Sequence, residues 1–312
     1  MQLIRELTNI TPQHQNRVVT LGNFDGVHLG HQHVFKELIK KADQNNTSAM
    51  IITFEPQPRE FFSPKEAPAR LTNLREKLFF IQKYVNLDVL CLPFNKYLSE
   101  LSAHDFVLKV LIQQLKIRGL MVGEDFRFGY QRQGDIQLLK TLSQTHAFSL
   151  AILPKIASNE EIISSTKIRQ LLSQADLPEA SSNLGRLYSM IGRVFYGDQR
   201  GRTLGFPTAN IQLNRLVCPL NGVYAIKARI LCSERSLYGV ANVGLRPTID
   251  GKKWTLECHF FDFSDNIYGS LLEITFISKI RDEKRFESLD ALKHQIAVDV
   301  NMAKERLEYD RS

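Results

Sequence analysis

Cysteine is scarce in this sequence, and its arrangement excludes two kinds of structure. The chain has 312 residues and contains Cys91, Cys218, Cys232 and Cys258, with no C-x-x-C pair. A disulfide framework or a cysteine zinc site would need paired spacings. We therefore expect reduced cysteines and no structural zinc.

Long apolar runs are missing as well. Stretches such as GLMVG and FSLAILP are far shorter than the roughly 20 residues that a membrane-spanning helix needs. The N-terminus also lacks the basic and apolar segments of a secretion signal. Because 43% of the residues are hydrophobic, the chain is able to bury a large core. We expect a globular, cytoplasmic protein with no membrane partner.

The charge balance is moderately basic. Lys and Arg number 40 against 33 Asp and Glu, which gives a formal net charge of +7. Such an excess favours nucleic acid, an anionic surface or phosphorylated small molecules. The basic residues form no long blocks, so small phosphate-bearing ligands are the favoured interpretation and no nucleic-acid partner is predicted.

The first half alternates short aliphatic runs with amphipathic stretches. The runs VVTLG, AMIITF, DVLCLPF, LMVG and SLAILP read as strands, and helical patterns such as HVFKELIKKA separate them. This rhythm predicts an α/β domain with a Rossmann-like parallel sheet, which binds ligands beyond the carboxyl ends of its strands.

The second half has a different rhythm from about residue 187. The segments IGRVFYG, GVYAIKARIL, SLYGVANVG, WTLECHFFDF and SLLEITFISKI are separated by turn signals, which predicts a β-barrel. A last amphipathic stretch, LDALKHQIAVDVNMAKERLEY, predicts a C-terminal helix. The polar stretch QADLPEASSNLG between the halves places the domains at 1–182 and 183–312.

The stretch FDGVHLGHQ contains the most distinctive local pattern, an H-x-G-H motif. Two histidines three residues apart could bind zinc, but no further Cys/His cluster follows. A histidine-activated serine is disfavoured because G-x-S-x-G is absent. Surface or capping histidines remain an alternative. A phosphate site uses more of the local residues, because glycines allow tight turns and a helix start offers free N–H groups.

At this point the sequence resembles a known family. TLGNFDGVHLGHQHV resembles the start of the adenylyltransferase module of bacterial bifunctional riboflavin kinase/FAD synthetases, and IISSTKIRQLL resembles the second phosphate motif of that superfamily. On its own SSTKIR is typical of a helix N-cap with a solvated face. The resemblance implies an ATP site formed by Gly22, Phe24, Asp25, Gly26, His28, Gly30, His31, Ser164, Ser165, Thr166 and Arg169, with His28, His31 and Arg169 catalytic.

Two connections between these motifs also match the family. They are FEPQPREFF and VGEDFRFGYQRQGD, which alone would be ordinary turn chemistry. The resemblance implies that the flavin or nucleotide lies near Pro56, Pro58, Arg70, Asp125 and Phe126. One position departs from the family, which usually reads F-E-P-H-P. Gln57 replaces that histidine and can donate a hydrogen bond but cannot carry a charge at neutral pH.

The second half carries its own signature, GDQRGRTLGFPTANI at 197–211. No Walker A loop occurs anywhere in the chain. The stretch resembles the riboflavin kinase signature, which implies a kinase ATP site formed by Gly197, Gly201, Arg202, Gly205, Pro207, Thr208 and Asn210. In that family the Thr and Asn oxygens bind the Mg²⁺ of MgATP, so Thr208 and Asn210 are the expected metal ligands.

The segments YGVANVGLRPT and LECHFFDFSDNIYG complete the kinase resemblance. Glu257 matches the family's catalytic glutamate, which takes a proton from the ribityl hydroxyl. We interpret His259 as structural. Arg281, in KIRDEKRF, is expected to border the flavin, although a solvated charge run is an equal alternative.

The resemblance therefore implies one enzyme with two reactions: riboflavin and ATP give FMN, and FMN and ATP give FAD and pyrophosphate. Riboflavin, FMN, FAD and ATP are the expected ligands, Mg²⁺ accompanies ATP, and no tightly bound cofactor is required. Two alternatives stay open at this point. One is a nucleotidyltransferase for a different acceptor with an accessory β domain, and the other is a flavin sensor or nucleic-acid-binding protein without turnover.

Overall fold

The chain forms two compact units. The computed structural model describes residues 1–154, 157–158, 161–196, 206–231, 233, 235–248 and 251–308. The sheet unit comprises Met1–Pro68 and Lys77–Ser164, and the barrel unit comprises Ala69–Glu76 and Ser165–Ser312. The domain boundary after residue 182 stays a prediction. None of the helices in the described ranges is long and apolar enough to cross a membrane.

The sheet unit is built on six parallel strands in the order β1-β4-β3-β2-β5-β6. The strands are β1 Leu3–Arg5, β2 Val18–Leu21, β3 Ala49–Glu55, β4 Asp88–Pro93, β5 Gly119–Gly123 and β6 Ser149–Leu153. The helices are α1 Leu29–Gln44, α2 Pro58–Phe62, α3 Leu74–Tyr84, α4 Lys96–Glu100, α5 Ala103–Asp105 with its π-helical continuation Phe106–Gln114, and α6 Ile136–Thr145. A short hairpin follows, with β7 Ala157–Ser158 and β8 Glu161–Ile162.

Apolar side chains cover both faces of this sheet. Successive residues of a strand point to opposite faces, and in β2 Val18 joins one buried cluster while Val19 joins the other. The same division holds for Met50 and Ile51 in β3. The predicted parallel sheet with helices is confirmed.

The order of the strands creates one switch point. After β2 the chain adds β3 and then β4 on one side, and β5 returns to the other side of β2. The loops that follow β2 and β5 therefore leave neighbouring strands in opposite directions. Ligands bind at such a point in open α/β sheets.

The barrel unit contains a closed antiparallel barrel in the order β10-β13-β12-β11-β14-β9. Its strands are β9 Ser189–Phe195, β10 Ala209–Gln212, β11 Gly222–Ile230, β12 Ser236–Thr248, β13 Gly251–Phe260 and β14 Leu271–Arg281. Alternate side chains such as Ile211, Leu256 and Val243 fill its interior. The predicted barrel is confirmed.

Helices complete the barrel unit. Helix α7 covers Ser165–Ser173, α8 covers Leu177–Leu184, and the last helix, α9, covers Leu289–Arg306. Ser288 caps α9 by accepting a hydrogen bond from the backbone N–H of Ala291. Ala303 of α9 belongs to an apolar cluster with Val223 on the barrel's outer side. The predicted C-terminal helix is confirmed.

A buried ion pair joins the short segment Ala69–Glu76 to the rest of the barrel unit. The side chains of Glu76 and Arg215 are both fully buried and form a salt bridge. The backbone N–H of Ile191 donates to Glu76 Oε1 at 2.7 Å, and Arg215 Nη1 donates to the Tyr188 hydroxyl at 2.9 Å. Removing one partner would leave a buried charge without its counter-ion.

We expect Arg215→Met to lower the free energy of unfolding of the barrel unit by about 3–5 kcal/mol, because Glu76 loses its buried counter-ion. Urea unfolding followed by the fluorescence of Trp254 measures this, since the chain's single tryptophan lies in β13 of the barrel. The matched control is Arg235→Met, whose partner Asp265 is 61% exposed, with an expected loss below about 1 kcal/mol. Equal losses in the two variants would contradict the importance of burial.

Candidate active sites

The loop after β2 carries the H-x-G-H motif and has an unusual backbone. Phe24 and Val27 both have a φ of 45°, and Gly26 has a φ of 86°. Non-glycine residues rarely adopt this left-handed conformation. The Phe24 ring packs directly against Gly22. A Cβ on Gly22 would lie 2.9 Å from this ring, so a side chain at this position would clash with it.

The two histidines of the motif lie together at the start of α1. Their rings stack with centroids 3.5 Å apart, and Phe24 meets the His31 ring edge-on at 5.3 Å. His28 is the N-cap residue of α1. A Cβ on Gly30 would lie 3.1 Å from the His28 ring, a tight contact, so the glycine gives the stacked rings room. Imidazole N–H groups and a helix N-terminus suit a phosphate group.

The second phosphate motif is divided between the units. Ser164 ends the sheet unit, and Ser165 begins both α7 and the barrel unit's longer segment. Thr166 is exposed, and the Arg169 Nε donates to the Ala69 carbonyl within the barrel unit. Asp25, also predicted for the ATP site, is buried in the sheet unit.

An aromatic cavity of about 410 Å³ lies in the sheet unit, beside the ends of β2 and β5. Pro58 and Phe126 line it, as the sequence analysis predicted for flavin contacts. The aromatic residues of its wall that sequence reasoning missed are Phe54, Phe62, Phe94, Phe106, Phe128 and Tyr130. Four of them lie in FEPQPREFF and EDFRFGY, where the density of aromatic residues was the available signal; no such signal marked Phe94 and Phe106.

The other residues predicted for the flavin lie outside this lining. The peptide bond between Glu55 and Pro56 is cis. Asp125 is exposed in the loop after β5. Gln57 is the buried N-cap residue of α2, and its backbone N–H donates to Glu60 Oε2 at 3.0 Å. Arg70 is buried in the barrel unit, where its carbonyl accepts a hydrogen bond from the Arg215 side chain.

In the barrel, cross-strand register places the predicted kinase residues in one row. Asn210 pairs with Glu257, which pairs with Asn242, and Val223 pairs with both Asn242 and Arg281. The neighbours of this row, such as Ala209 and Cys258, belong to the interior cluster. Because side chains alternate, the row lies on the outer face of the barrel.

Two members of the row are held by charged partners. Arg246 on β12 forms an ion pair with Glu257, and Asp299 on α9 forms a bidentate pair with Arg281 at 2.7 and 2.9 Å. Sequence reasoning missed Arg246 and Asp299. Asp299 lies 18 residues after Arg281, in a helix that looked merely amphipathic, so no local pattern marked it.

The described part of the kinase signature packs against His259. Its Nδ1 lies 2.9 Å from the Pro207 carbonyl, and its ring meets Phe206 edge-on at 5.3 Å. His259 thereby supports the start of β10, with Thr208 directly before the strand and Asn210 within it. The predicted residues Gly197, Gly201, Arg202 and Gly205 lie outside the described residues. Within the described ranges, no three His, Cys, Asp or Glu side chains form a group that could hold a metal.

Comparison with known proteins covers both halves. The family model described as FAD synthetase matches residues 10–167, and the one described as riboflavin kinase matches residues 184–307. The curated bifunctional riboflavin kinase/FMN adenylyltransferase of Haemophilus influenzae is 45% identical, with 97% of this chain and 98% of that protein aligned. The chain belongs to the bifunctional riboflavin kinase/FMN adenylyltransferase family. The resemblance seen in the sequence motifs is confirmed.

Further relatives agree with this membership. The bifunctional riboflavin kinase/FMN adenylyltransferase of Escherichia coli K12 is 42% identical, with 98% of this chain and 97% of that protein aligned. A crystal structure described as a macrolide-efflux protein from Streptococcus pneumoniae superposes with a TM-score of 0.77 at 29% identity, covering 96% of this chain and 97% of the other. Because both halves match, the alternative of a nucleotidyltransferase for a different acceptor with an accessory β domain has no support.

The stability of this riboflavin kinase half is expected to depend on His259. Burial lowers the pKa of His259 below its usual 6.5; the Pro207 carbonyl opposes this shift and the charge of Lys304 adds to it. Below pH 6.5 the unfolded chain therefore binds a proton that the folded chain resists, so stability is lost as the pH falls. Urea unfolding followed at Trp254 should show a steeper loss from pH 7 to 5 in the wild type than in His259→Gln. Parallel curves would contradict this.

Proposed function

We propose that the two reactions of this enzyme depend on two separate sets of side chains, one in each unit. The chain is a riboflavin kinase and an FMN adenylyltransferase. The observation that supports the division most strongly is the chemistry of the two clusters. Stacked histidines at a helix N-terminus suit a charged phosphate, whereas the Asn210–Glu257 row suits a neutral alcohol beside a metal-bound phosphate.

In adenylyl transfer the nucleophile is an FMN phosphate oxygen, which is already ionised at pH 7. It forms a bond to the α-phosphorus of ATP while the bond to pyrophosphate breaks. No general base is needed, so the protein has to position the groups and stabilise the charge on the leaving group. We assign this role to His28, His31 and the N-terminus of α1. The family resemblance assigns Ser164 of the sheet unit to the same triphosphate, and we retain it in the proposal. The roles that the resemblance implies for Ser165, Thr166 and Arg169, which belong to the barrel unit, stay predictions from the sequence.

The aromatic cavity is the proposed site for the isoalloxazine ring of FMN. Its volume of about 410 Å³ lies within the range of small-molecule sites. Phe126 stacks on Phe128 with centroids 5.5 Å apart, and Phe62 meets Phe94 edge-on. A planar aromatic ring system such as isoalloxazine forms favourable stacked and edge-to-face contacts with such side chains. The cavity's position beside the ends of β2 and β5 suits delivery of the FMN phosphate to the switch point.

In the kinase reaction the nucleophile is the 5′-hydroxyl of riboflavin. Because this alcohol is neutral, a carboxylate base is chemically reasonable, and Glu257 takes the proton as the oxygen attacks the γ-phosphorus. The ion pair with Arg246 keeps the Glu257 carboxylate in one orientation. Arg281 is proposed to border the flavin in an orientation set by Asp299.

The residues Thr208 and Asn210 fit a magnesium ion. They offer a hydroxyl and an amide oxygen, and Asn210 stands directly across from Glu257 in the row. Mg²⁺ in phosphate-transfer sites takes few protein oxygens and completes its shell with phosphates and water. When bound, the ion would neutralise charge on the triphosphate. Thr208 and Asn210 would orient it beside the reacting hydroxyl.

The cytoplasm is the proposed place of both reactions. Each reaction consumes ATP, and the described cysteines Cys91, Cys218 and Cys258 are free thiols. Thiols of this kind persist in a reducing compartment.

We expect His28→Ala with His31→Ala to lower FAD formation from FMN by about a thousandfold or more, since charge stabilisation at the leaving group is lost. FMN formation from riboflavin should stay within about twofold of wild type, because Glu257 is untouched. Glu257→Gln should have the reverse effect. Chromatographic separation of FMN and FAD over time, started from riboflavin or from FMN, measures both reactions. Equal loss of both in folded variants would rule out two independent sites.

We expect Phe126→Ala to raise the KM for FMN in adenylyl transfer by about tenfold, because aromatic contact with a stacked ring contributes roughly 1–3 kcal/mol. The KM for riboflavin in the kinase reaction should not change. Tyr97→Ala is the matched control, since Tyr97 is an exposed aromatic residue of the sheet unit outside the cavity lining. An unchanged KM for FMN would place the isoalloxazine elsewhere.

A further inference from the structure

Val27 is the most strained residue of the loop before His28. It is β-branched and completely buried, yet its φ is 45°. A branched side chain disfavours the left-handed region strongly, and such a conformation persists only when its surroundings hold it. Contacts around Val27 must therefore hold its backbone in this conformation.

Gln32 contacts the backbone directly after this strained position, at two successive carbonyls. Its side-chain Nε2 donates to the Val27 carbonyl at 2.9 Å, and its backbone N–H donates to the His28 carbonyl at 3.0 Å. Gln32 is itself buried, with 7% of its surface exposed. A buried carbonyl needs a donor, and the Val27 carbonyl precedes the helical hydrogen-bond ladder of α1.

The orientation of the Val27 carbonyl determines where His28 lies. The peptide unit that contains this carbonyl ends at the His28 nitrogen, and His28 then enters α1 as N-cap with φ −74° and ψ 172°. In this geometry its ring stacks on His31. A rotation of the peptide would move the His28 ring and the first N–H groups of α1 together.

We propose that Gln32 is a positioning residue for adenylyl transfer, which holds the left-handed turn at Val27 and so presents His28 to the triphosphate. The proposal rests on the assignment of His28 and His31 to the ATP phosphates. Packing alone would not require an amide at this position. Gln32 is buried, and a methionine of similar length would fill the same space without a hydrogen-bond donor.

The test compares Gln32→Met with Gln32→Glu. Methionine removes the donor, and glutamate places a carboxylate oxygen against the Val27 carbonyl. Both should lower kcat for FAD formation by about ten- to hundredfold, the range that corresponds to the strain of one non-glycine residue in the left-handed region once the contact that holds it is lost. The KM for FMN should stay within about twofold, because the aromatic cavity is unchanged. Riboflavin phosphorylation by the same molecule is the internal control, and exposed Gln44→Met on the same helix is the matched one.

A second substitution separates positioning from general stability. Glycine adopts a positive φ without strain, so Val27→Gly no longer needs Gln32 to hold the turn. Relative to Val27→Gly alone, adding Gln32→Met should then lower kcat by less than about threefold. If the loss is as large in the glycine background as in the wild type, the proposed role is wrong. The same conclusion follows if both activities fall together.

Failure of the proposal is distinguishable from failure of the proposed function. If His28→Ala leaves FAD formation intact, the histidine assignment itself is wrong. If His28→Ala abolishes FAD formation while Gln32→Met and Gln32→Glu match the wild type, only the positioning role of Gln32 is overturned.

Discussion

Successive side chains of a β-strand must point to opposite faces, and both proposed sites of this enzyme depend on that constraint. In the sheet unit both faces are covered by apolar residues, so polar chemistry is confined to the carboxyl ends of the strands. In the barrel the interior takes every second residue, and Asn210 and Glu257 lie in the row left on the outer face. The fold therefore restricts the places where polar side chains can come together in each unit.

The two proposed sites differ in a way that matches the different charges of their nucleophiles. A phosphate oxygen needs no base, and the sheet unit offers it stacked imidazoles and a helix N-terminus. A neutral hydroxyl needs a proton acceptor, and the barrel offers Glu257 with Arg246 beside it. Each set of groups would serve the other reaction poorly. Under this proposal, the difference explains why one chain carries two sites rather than one site with two substrates.

Local patterns predicted the strands, the barrel and the last helix well, because alternation and turn signals act within a few residues. They do not reveal contacts between residues that are distant in sequence. The buried pair of Glu76 and Arg215, which joins segment Ala69–Glu76 to the barrel unit, is one such contact. The short edge strand β1 has only three residues and gave no periodic signal. Arg246 and Asp299 were likewise missed because their partners are far away in sequence or on another strand.

The loop before His28 shows why functional residues resist prediction from propensity. Valine and phenylalanine favour extended backbone, yet Val27 and Phe24 are held in the left-handed region. Proteins contradict local preference mainly where surrounding contacts compensate and a site gains from the geometry. Here the Gln32 amide on the Val27 carbonyl is one such contact. The H-x-G-H pattern identifies the two histidines, but it does not include the residues that form the strained turn before them.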